Sequence, residues 1–220
     1  MTTRLRVGLL GGTLDPIHVG HIETARAARN ALGLDSVHVL PSNVPPHRSE
    51  QPTASACHRF AMTALAVNGI DGLLANDLEL TTPGRSFTSD TLARFSQSAD
   101  LEASQIFFIT GADAFAEIAT WREYPGVLDA AHFVVIARPG ASLATAIARN
   151  PSLAPRLREA RDDESQTGIF LVEAHTRDVS STAIRSRLAT GRAVDDLVPT
   201  PVAHYIAAND LYRTVNQLHG

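Results

Sequence analysis

The sequence predicts an α/β fold: a doubly wound parallel sheet with helices on both faces, in a single domain spanning residues 1–220. Two observations carry the prediction. Short, near-continuous apolar runs alternate with segments of helical periodicity, as strands covered on both faces alternate with crossover helices. The first run empties into Gly11-Gly12 ahead of a helix, the opening of a strand–turn–helix unit.

Each element follows in chain order. Arg6-Val7-Gly8-Leu9-Leu10 reads as a buried strand ending in a tight turn. Val19, Ile22, Ala25 and Leu32 recur at helical spacing up to Gly33, and Val37-His38-Val39-Leu40 reads as a second strand halted by Pro41. Three prolines between Pro41 and Arg48 fix the backbone and remove donors, so that stretch is a semi-rigid loop. A helix over 55–68, a polar-flanked strand over 73–80 and a helix opening near Ser86 to Thr88 follow.

Ile106-Phe107-Phe108-Ile109 is a further buried strand, running into Thr110-Gly111-Ala112-Asp113 and a helix through Ile118. Phe133-Val134-Val135-Ile136 is the next, stopped by Arg138-Pro139-Gly140. Residues 141–167 turn to Ala, Arg, Asp and Glu without aromatic anchors, which predicts a peripheral helical excursion. Ile169-Phe170-Leu171-Val172 resumes the sheet, and residues 180–213 form a C-terminal helical part, with Pro201 in the first turn of its last helix.

Composition narrows the partners. A net charge of -4 argues against a nucleic-acid duplex, whose phosphates need a concentrated basic face, but leaves small anions open. The lone Cys57 makes no intramolecular disulfide and reads as a packing residue in a reducing compartment. No apolar segment reaches signal-peptide or membrane-spanning length, so the expected location is cytoplasmic and no membrane partner is expected.

The chemistry starts at Gly11-Gly12-Thr13. A glycine turn between a strand and a helix lets backbone N–H groups and the helix amino end face one anion, and Thr13 adds a hydroxyl donor. The turn is neither a dinucleotide fingerprint nor a phosphate loop ending in Gly-Lys-Ser/Thr, which weakens hydride transfer and γ-phosphate hydrolysis. His18 and His21, three apart across Gly20, lie on one face of the following helix. Beside a phosphate, two imidazoles donate to non-bridging oxygens and to a developing pyrophosphate, with Gly20 allowing a ligand close to the backbone. No Cys cluster and no intervening Glu support a zinc site there.

The stretch Gly11-Gly12-Thr13-Leu14-Asp15-Pro16-Ile17-His18-Val19-Gly20-His21 resembles the GGTFDPxHxGH motif of bacterial nicotinate-mononucleotide adenylyltransferases, in the HIGH-type nucleotidyltransferase superfamily, with Leu14 where Phe is usual. The resemblance implies a Rossmann-like sheet and runs from Val7 to Arg213, weakest over 141–167. Asn43-Val44-Pro45-Pro46-His47-Arg48 resembles the family's NxPPHK loop, with Arg48 in place of Lys keeping the charge but presenting a planar fork. Arg85 to Leu92 resembles its SYTxxTL segment, which implies that Thr88 lies near the nicotinate moiety, although Ser86 or Thr88 is equally placed to cap a helix.

Gly111-Ala112-Asp113 with Trp121 resembles the GxD...W pattern. An Asp just past a strand's carboxyl end is placed to accept ribose hydroxyls, and the flat Trp121 to stack on a pyridine ring. Ser180-Ser181-Thr182-Ala183-Ile184-Arg185 resembles the ISSTxIR element, which puts hydroxyls, helix N–H groups and Arg185 on ATP phosphates, and Arg138 lies in the RPG turn flanking ATP.

The implied reaction is transfer of AMP from ATP to nicotinate mononucleotide, giving nicotinate adenine dinucleotide and pyrophosphate, with His18, His21, Arg48 and Arg185 as catalytic residues. Gly11, Gly12, Thr13, His18, Gly20, His21, Arg138, Ser180, Ser181, Thr182 and Arg185 are expected on ATP. His47, Arg48, Thr88, Gly111, Asp113 and Trp121 are expected on nicotinate mononucleotide. Mg²⁺ is expected through the ATP phosphates, with no protein ligand; Asp15, in an Asp-Pro turn, is expected to fix the loop. Two alternatives stand: another transferase of the same fold acting on pantetheine phosphate, or on glycerol phosphate with CTP, and a non-catalytic nucleotide sensor.

Overall fold

The computed structural model describes residues 4–45, 52–82, 84–137, 150–159 and 166–213. The strands are β1 (Val7–Gly12), β2 (Ser36–Pro41), β3 (Leu73–Ala75), β4 (Ile106–Gly111), β5 (His132–Ala137), β6 (Leu157–Arg158) and β7 (Ile169–Glu173), all but β6 falling on segments that the sequence predicts as strands. They form one seven-stranded sheet in the order β3-β2-β1-β4-β5-β7-β6 with every pairing parallel.

The strand order reverses between β1 and β4, so the carboxyl ends of these neighbours open a crevice at the sheet's switch point. The helices are α1 (Val19–Leu32), α2 (Ala56–Val67), α3 (Thr88–Ala99), α4 (Ala112–Ala116), α5 (Ser181–Ala189) and α6 (Thr200–Ala208).

Strand side chains alternate between faces, and the core divides accordingly. Leu10, Phe107, Ile109, Val134 and Ile136 pack with Ile22 and Ala25 of α1, Met62 of α2, Ile184 of α5 and Val202 of α6. Leu9, Ile106, Phe108, Phe133 and Val135 pack with Leu92 and Phe95 of α3 and Phe115 of α4. Helices therefore cover both faces, as the unbroken apolar strands require. Among the described residues no helix is long and apolar enough to cross a membrane.

Three expectations change. The strand predicted over 73–80 ends at Ala75, because Asn76 Oδ1 accepts the Leu78 N–H at 2.9 Å and turns the backbone off the ladder. The part of 141–167 that is described is not α-helical. Pro151 and Pro155 restrict it to a 3₁₀ segment, Pro151–Arg156, after which Leu157 and Arg158 pair with Ile169 and Phe170 as a sheet edge. Cys57 is exposed rather than packed, since the inward stripe of α2 runs through Arg59, Met62, Thr63 and Ala66.

Candidate active site

The glycine turn sits at the carboxyl end of β1, where Ser42 N–H donates to the Gly12 carbonyl at 2.8 Å and holds the loop after β2 beside it. Leu14 follows, buried and at φ 50°, a left-handed conformation that costs a non-glycine residue about 1 kcal/mol or more. Asp15 is buried, and its carboxylate explains how that loop is held. Oδ2 accepts from Thr53 N–H at 2.8 Å, and Oδ1 from Ala54 N–H at 3.0 Å and the Tyr212 hydroxyl at 2.8 Å. Asp15 is thus the loop-fixing residue expected, and its oxygens are occupied by protein donors.

His18 is the N-cap of α1 rather than a residue within it. Its main-chain N–H donates to His21 Nδ1 at 3.2 Å, and the two rings stack with centroids 3.7 Å apart. Burial lowers the His18 pKa to about 4; burial and then the neighbouring His18 lower that of His21 to about 3. Both imidazoles are therefore neutral at pH 7. Because His21 Nδ1 accepts a hydrogen bond, its proton resides on Nε2, which makes His21 a fixed neutral N–H donor. His18 Nδ1 is buried with no hydrogen-bond partner.

Gly20 has a role other than ligand approach. A Cβ there would lie 3.2 Å from both the Arg177 carbonyl and His18 Nδ1, so glycine lets the 174–180 loop and the His18 ring close over α1. Arg177 fastens that loop, donating through its main-chain N–H and Nε to the Glu23 carboxylate, each at 2.7 Å.

The loop leads to α5, whose N-cap Ser180 accepts the Ala183 N–H at 3.2 Å and keeps its own proton to donate. Ser181 differs from expectation, since its hydroxyl donates to the Pro16 carbonyl at 2.9 Å and is directed at the loop. Arg185 donates to the Asp15 carbonyl at 2.8 Å and to Thr182 Oγ1 at 3.3 Å. The structure therefore brings Gly11, Gly12, Thr13, His18, Gly20, His21, Ser180, Ser181, Thr182 and Arg185 around the end of β1. The opening N–H groups of α5 lie there too, whereas at the start of α1 Val19 N–H donates to the Leu197 carbonyl and His21 N–H to the His18 carbonyl, each at 3.0 Å.

A second group lies toward β4. Gly111 ends that strand and is exposed, and Asp113, also exposed, sits in the first turn of α4. Trp121 is half-buried and meets Phe108 edge-on at 6.0 Å, so its ring is a rim residue resting on the core. Arg122 links it to the Thr88 segment, pairing with Asp90 at 3.0 Å and lying over the Phe87 ring at 4.8 Å. Thr88 opens α3, but neither it nor Ser86 caps that helix. The N-cap is Phe87, and Ser86 Oγ accepts from Asn43 N–H at 2.9 Å. His47, Arg48 and Arg138 lie outside the described residues.

Two buried charges had escaped the sequence reading. Arg59 of α2, 1% exposed, donates to four main-chain carbonyls: Ala54 at 3.2 Å, Thr13 at 2.9 Å, Ser42 at 2.5 Å and Asn43 at 3.2 Å. Glu79, also buried, accepts from the Thr91 hydroxyl at 2.9 Å, and burial raises its pKa. The signal for Arg59 was its place on the apolar stripe of α2, where a charge requires a partner. Glu79 sits in a turn and carries no comparable signal. Among the described residues no group of three or more His, Cys, Asp and Glu is arranged to hold a metal ion.

The cytidylyltransferase-like family model matches residues 9–187. A protein of Moorella thermoacetica named "probable nicotinate-nucleotide adenylyltransferase" is 38% identical over 211 residues, 94% of this chain and 92% of its own. One of the same name from Pseudomonas aeruginosa UCBPP-PA14 is 39% identical over 213 residues, 94% and 97% of the two chains. Among solved structures, a Plasmodium falciparum nicotinic acid mononucleotide adenylyltransferase complexed with NaAD superposes with a TM-score of 0.72, covering 94% of this chain and 97% of that one. At 18% identity that likeness speaks for the fold.

Proposed function

The chain belongs to the cytidylyltransferase-like family and, within it, to the nicotinate-nucleotide adenylyltransferases, and from that premise we propose how its site works. The protein transfers AMP from ATP to nicotinate mononucleotide. A 5′-phosphate oxygen of the acceptor attacks the α-phosphorus of ATP, the bond from that phosphorus to the α,β-bridging oxygen breaks, and pyrophosphate leaves. The acceptor phosphate is already ionised near neutrality, so the step needs neither a strong general base nor a covalent intermediate. What remains is alignment and stabilisation of charge.

The observation that carries this reading is the stacked, neutral pair His18 and His21 beside the glycine turn, at the switch point of the sheet. A donor already fixed by packing is not reorganised as charge develops. His21 Nε2–H and Arg185 suit the α-phosphate and the leaving pyrophosphate, while Gly11, Gly12, Thr13, Gly20, Ser180 and Thr182 with the N-terminus of α5 suit the cradle. Ser181 supports it through Pro16. Thr88, Gly111, Asp113 and Trp121 suit the acceptor, on the far side of the β1–β4 crevice.

Arg48, with His47 beside it, and Arg138 keep the roles that the sequence resemblance gives them: Arg48 on the reacting phosphates, Arg138 beside ATP. Mg²⁺ would supply charge neutralisation on the ATP phosphates, with no protein ligand expected for it. The Asp15 carboxylate, filled by two main-chain N–H groups and the Tyr212 hydroxyl, is a poor ligand for it.

The test is pyrophosphate release from ATP with a panel of acceptor phosphates. Release with nicotinate mononucleotide, and not with pantetheine or glycerol phosphates, is the expected result. Release only with another acceptor, or with none, overturns the proposal.

A further inference from the structure

Arg59 touches the phosphate turn directly and reaches the acceptor segment through Asn43, without occupying either half of the site. Its Nη1 donates to the carbonyl of Thr13, in the turn that cradles phosphate, and to that of Ser42; Nη2 donates to the carbonyl of Asn43. The path continues outward from Asn43. Asn43 N–H donates to Ser86 Oγ at 2.9 Å and its Nδ2 to the Thr82 carbonyl at 2.8 Å, while Ser86 N–H donates to the Val44 carbonyl at 2.9 Å. Val44 and Arg85 form a parallel bridge beside them. Ser86 lies two residues before Thr88, at the start of α3.

One guanidinium thus stands at the root of a continuous hydrogen-bonded path from Thr13 to Ser86. Arg59 binds the Thr13 end directly and meets the Ser86 end through Asn43, beside the main-chain link from Ser42 N–H to the Gly12 carbonyl at 2.8 Å. The planar fork makes the link stiff: Nη1 and Nη2 are fixed relative to one another, so the carbonyls they hold are fixed too. The group is fully buried and stays charged, because a guanidinium begins so far above neutrality that the fall caused by burial leaves it protonated.

We infer that Arg59 is a positioning residue for the transfer itself, a strut that sets the separation between the phosphate cradle and the acceptor segment. The inference rests on the reaction proposed above. In-line transfer depends on placing the acceptor oxygen against the α-phosphorus, and a displacement of about 1 Å costs on the order of 10²-fold in rate. Each substrate meets only one half of the site. Loosening the strut therefore spares each binary complex and harms the step that needs both.

The experiment compares the wild type with Arg59→Lys, Ser86→Ala and their combination. It measures kcat with ATP and nicotinate mononucleotide, dissociation constants for each substrate alone, and the folded fraction by circular dichroism. A lysine ammonium lacks the rigid fork and cannot hold both loops in register. The expected result is a kcat roughly 30- to 100-fold lower in Arg59→Lys, with each binary dissociation constant within about threefold of wild type.

Ser86→Ala acts at the far end of the path, leaves Arg59 in place, and gives the same signature if Arg59→Lys does not fold. The double variant loses no more kcat than the worse single one, because both cut the same path. Unchanged kcat, a loss matched by the unfolded fraction, equal weakening of both binary complexes, or multiplicative losses would each overturn the inference. The wild-type control keeps the two proposals apart. A wild type without turnover on nicotinate mononucleotide defeats the proposed reaction, whereas an active wild type with fully active variants defeats only the strut.

Discussion

The imidazoles of His18 and His21 stack with their planes 25° apart and centroids 3.7 Å apart, an arrangement two cations could not share. Burial keeps both neutral, and the His18 N–H fixes the ring orientation of His21. The pair is thus a rigid donor set assembled before substrate arrives.

His21→Ala is therefore expected to lower kcat by about 10²-fold or more while changing the KM for nicotinate mononucleotide little, the signature of a donor that acts in the transition state. His18→Ala removes the stacking partner and the ring that packs on Gly20, and is expected to act in the same direction. Steady-state kinetics decides, and near-normal kcat in both variants defeats the assignment.

The same burial makes stability pH-dependent. In the unfolded chain both imidazoles titrate near the ordinary value of 6.5, whereas in the folded protein they resist protonation down to about 4 and about 3. The unfolded state therefore binds more protons in this window. The contribution is complete above pH 6.5 and shrinks as pH falls toward 4, by about 1.4 kcal/mol per pH unit per histidine. Urea denaturation at pH 4.5, 5.5 and 6.5 should show a shallower decline in His21→Asn than in wild type; identical slopes would contradict the burial argument.

What the sequence made legible follows the range of the interaction. β1, the α1 stripe ending at Gly33 and the glycine turn are set by neighbours a few residues apart, and they appear where periodicity puts them. In the described part of the aromatic-poor segment before β7, residues 150–159, Pro151 and Pro155 favour a 3₁₀ segment where an Ala- and Arg-rich composition suggests an α-helix. Arg59 and Tyr212 escaped for another reason. Their partners at Thr13 and Asp15 are 46 and 197 residues away, and only the closed sheet brings them together. Ser181 was legible as a helix-start hydroxyl, but not its preference for the Pro16 carbonyl over an anion.

Asp15 is expected to be a stability residue before it is a catalytic one. Asp15→Asn replaces one acceptor oxygen by an NH₂ that faces donors, leaving a buried N–H or hydroxyl unpaired, at a cost of about 2 to 3 kcal/mol. Tyr212→Phe removes one donor and should cost about 1 kcal/mol. Chemical denaturation measures both. An Asp15→Asn midpoint indistinguishable from wild type would mean that this carboxylate does not hold the loop.

Trp121 is the only tryptophan in the chain, so its fluorescence reports on one place. One part of the indole rests edge-on against Phe108 while the ring is only half-buried, which leaves apolar surface for a flat ligand. Stacking of a pyridine ring there should change the emission on titration with nicotinate mononucleotide, whereas ATP alone should leave it nearly constant. Trp121→Phe keeps a smaller face and should raise the KM for nicotinate mononucleotide several-fold; Trp121→Ala should raise it by about tenfold, from stacking worth roughly 0.5–1.5 kcal/mol together with lost apolar contact. The KM for ATP should hold in both. Emission that answers to ATP and not to the mononucleotide would move Trp121 to the other side of the crevice.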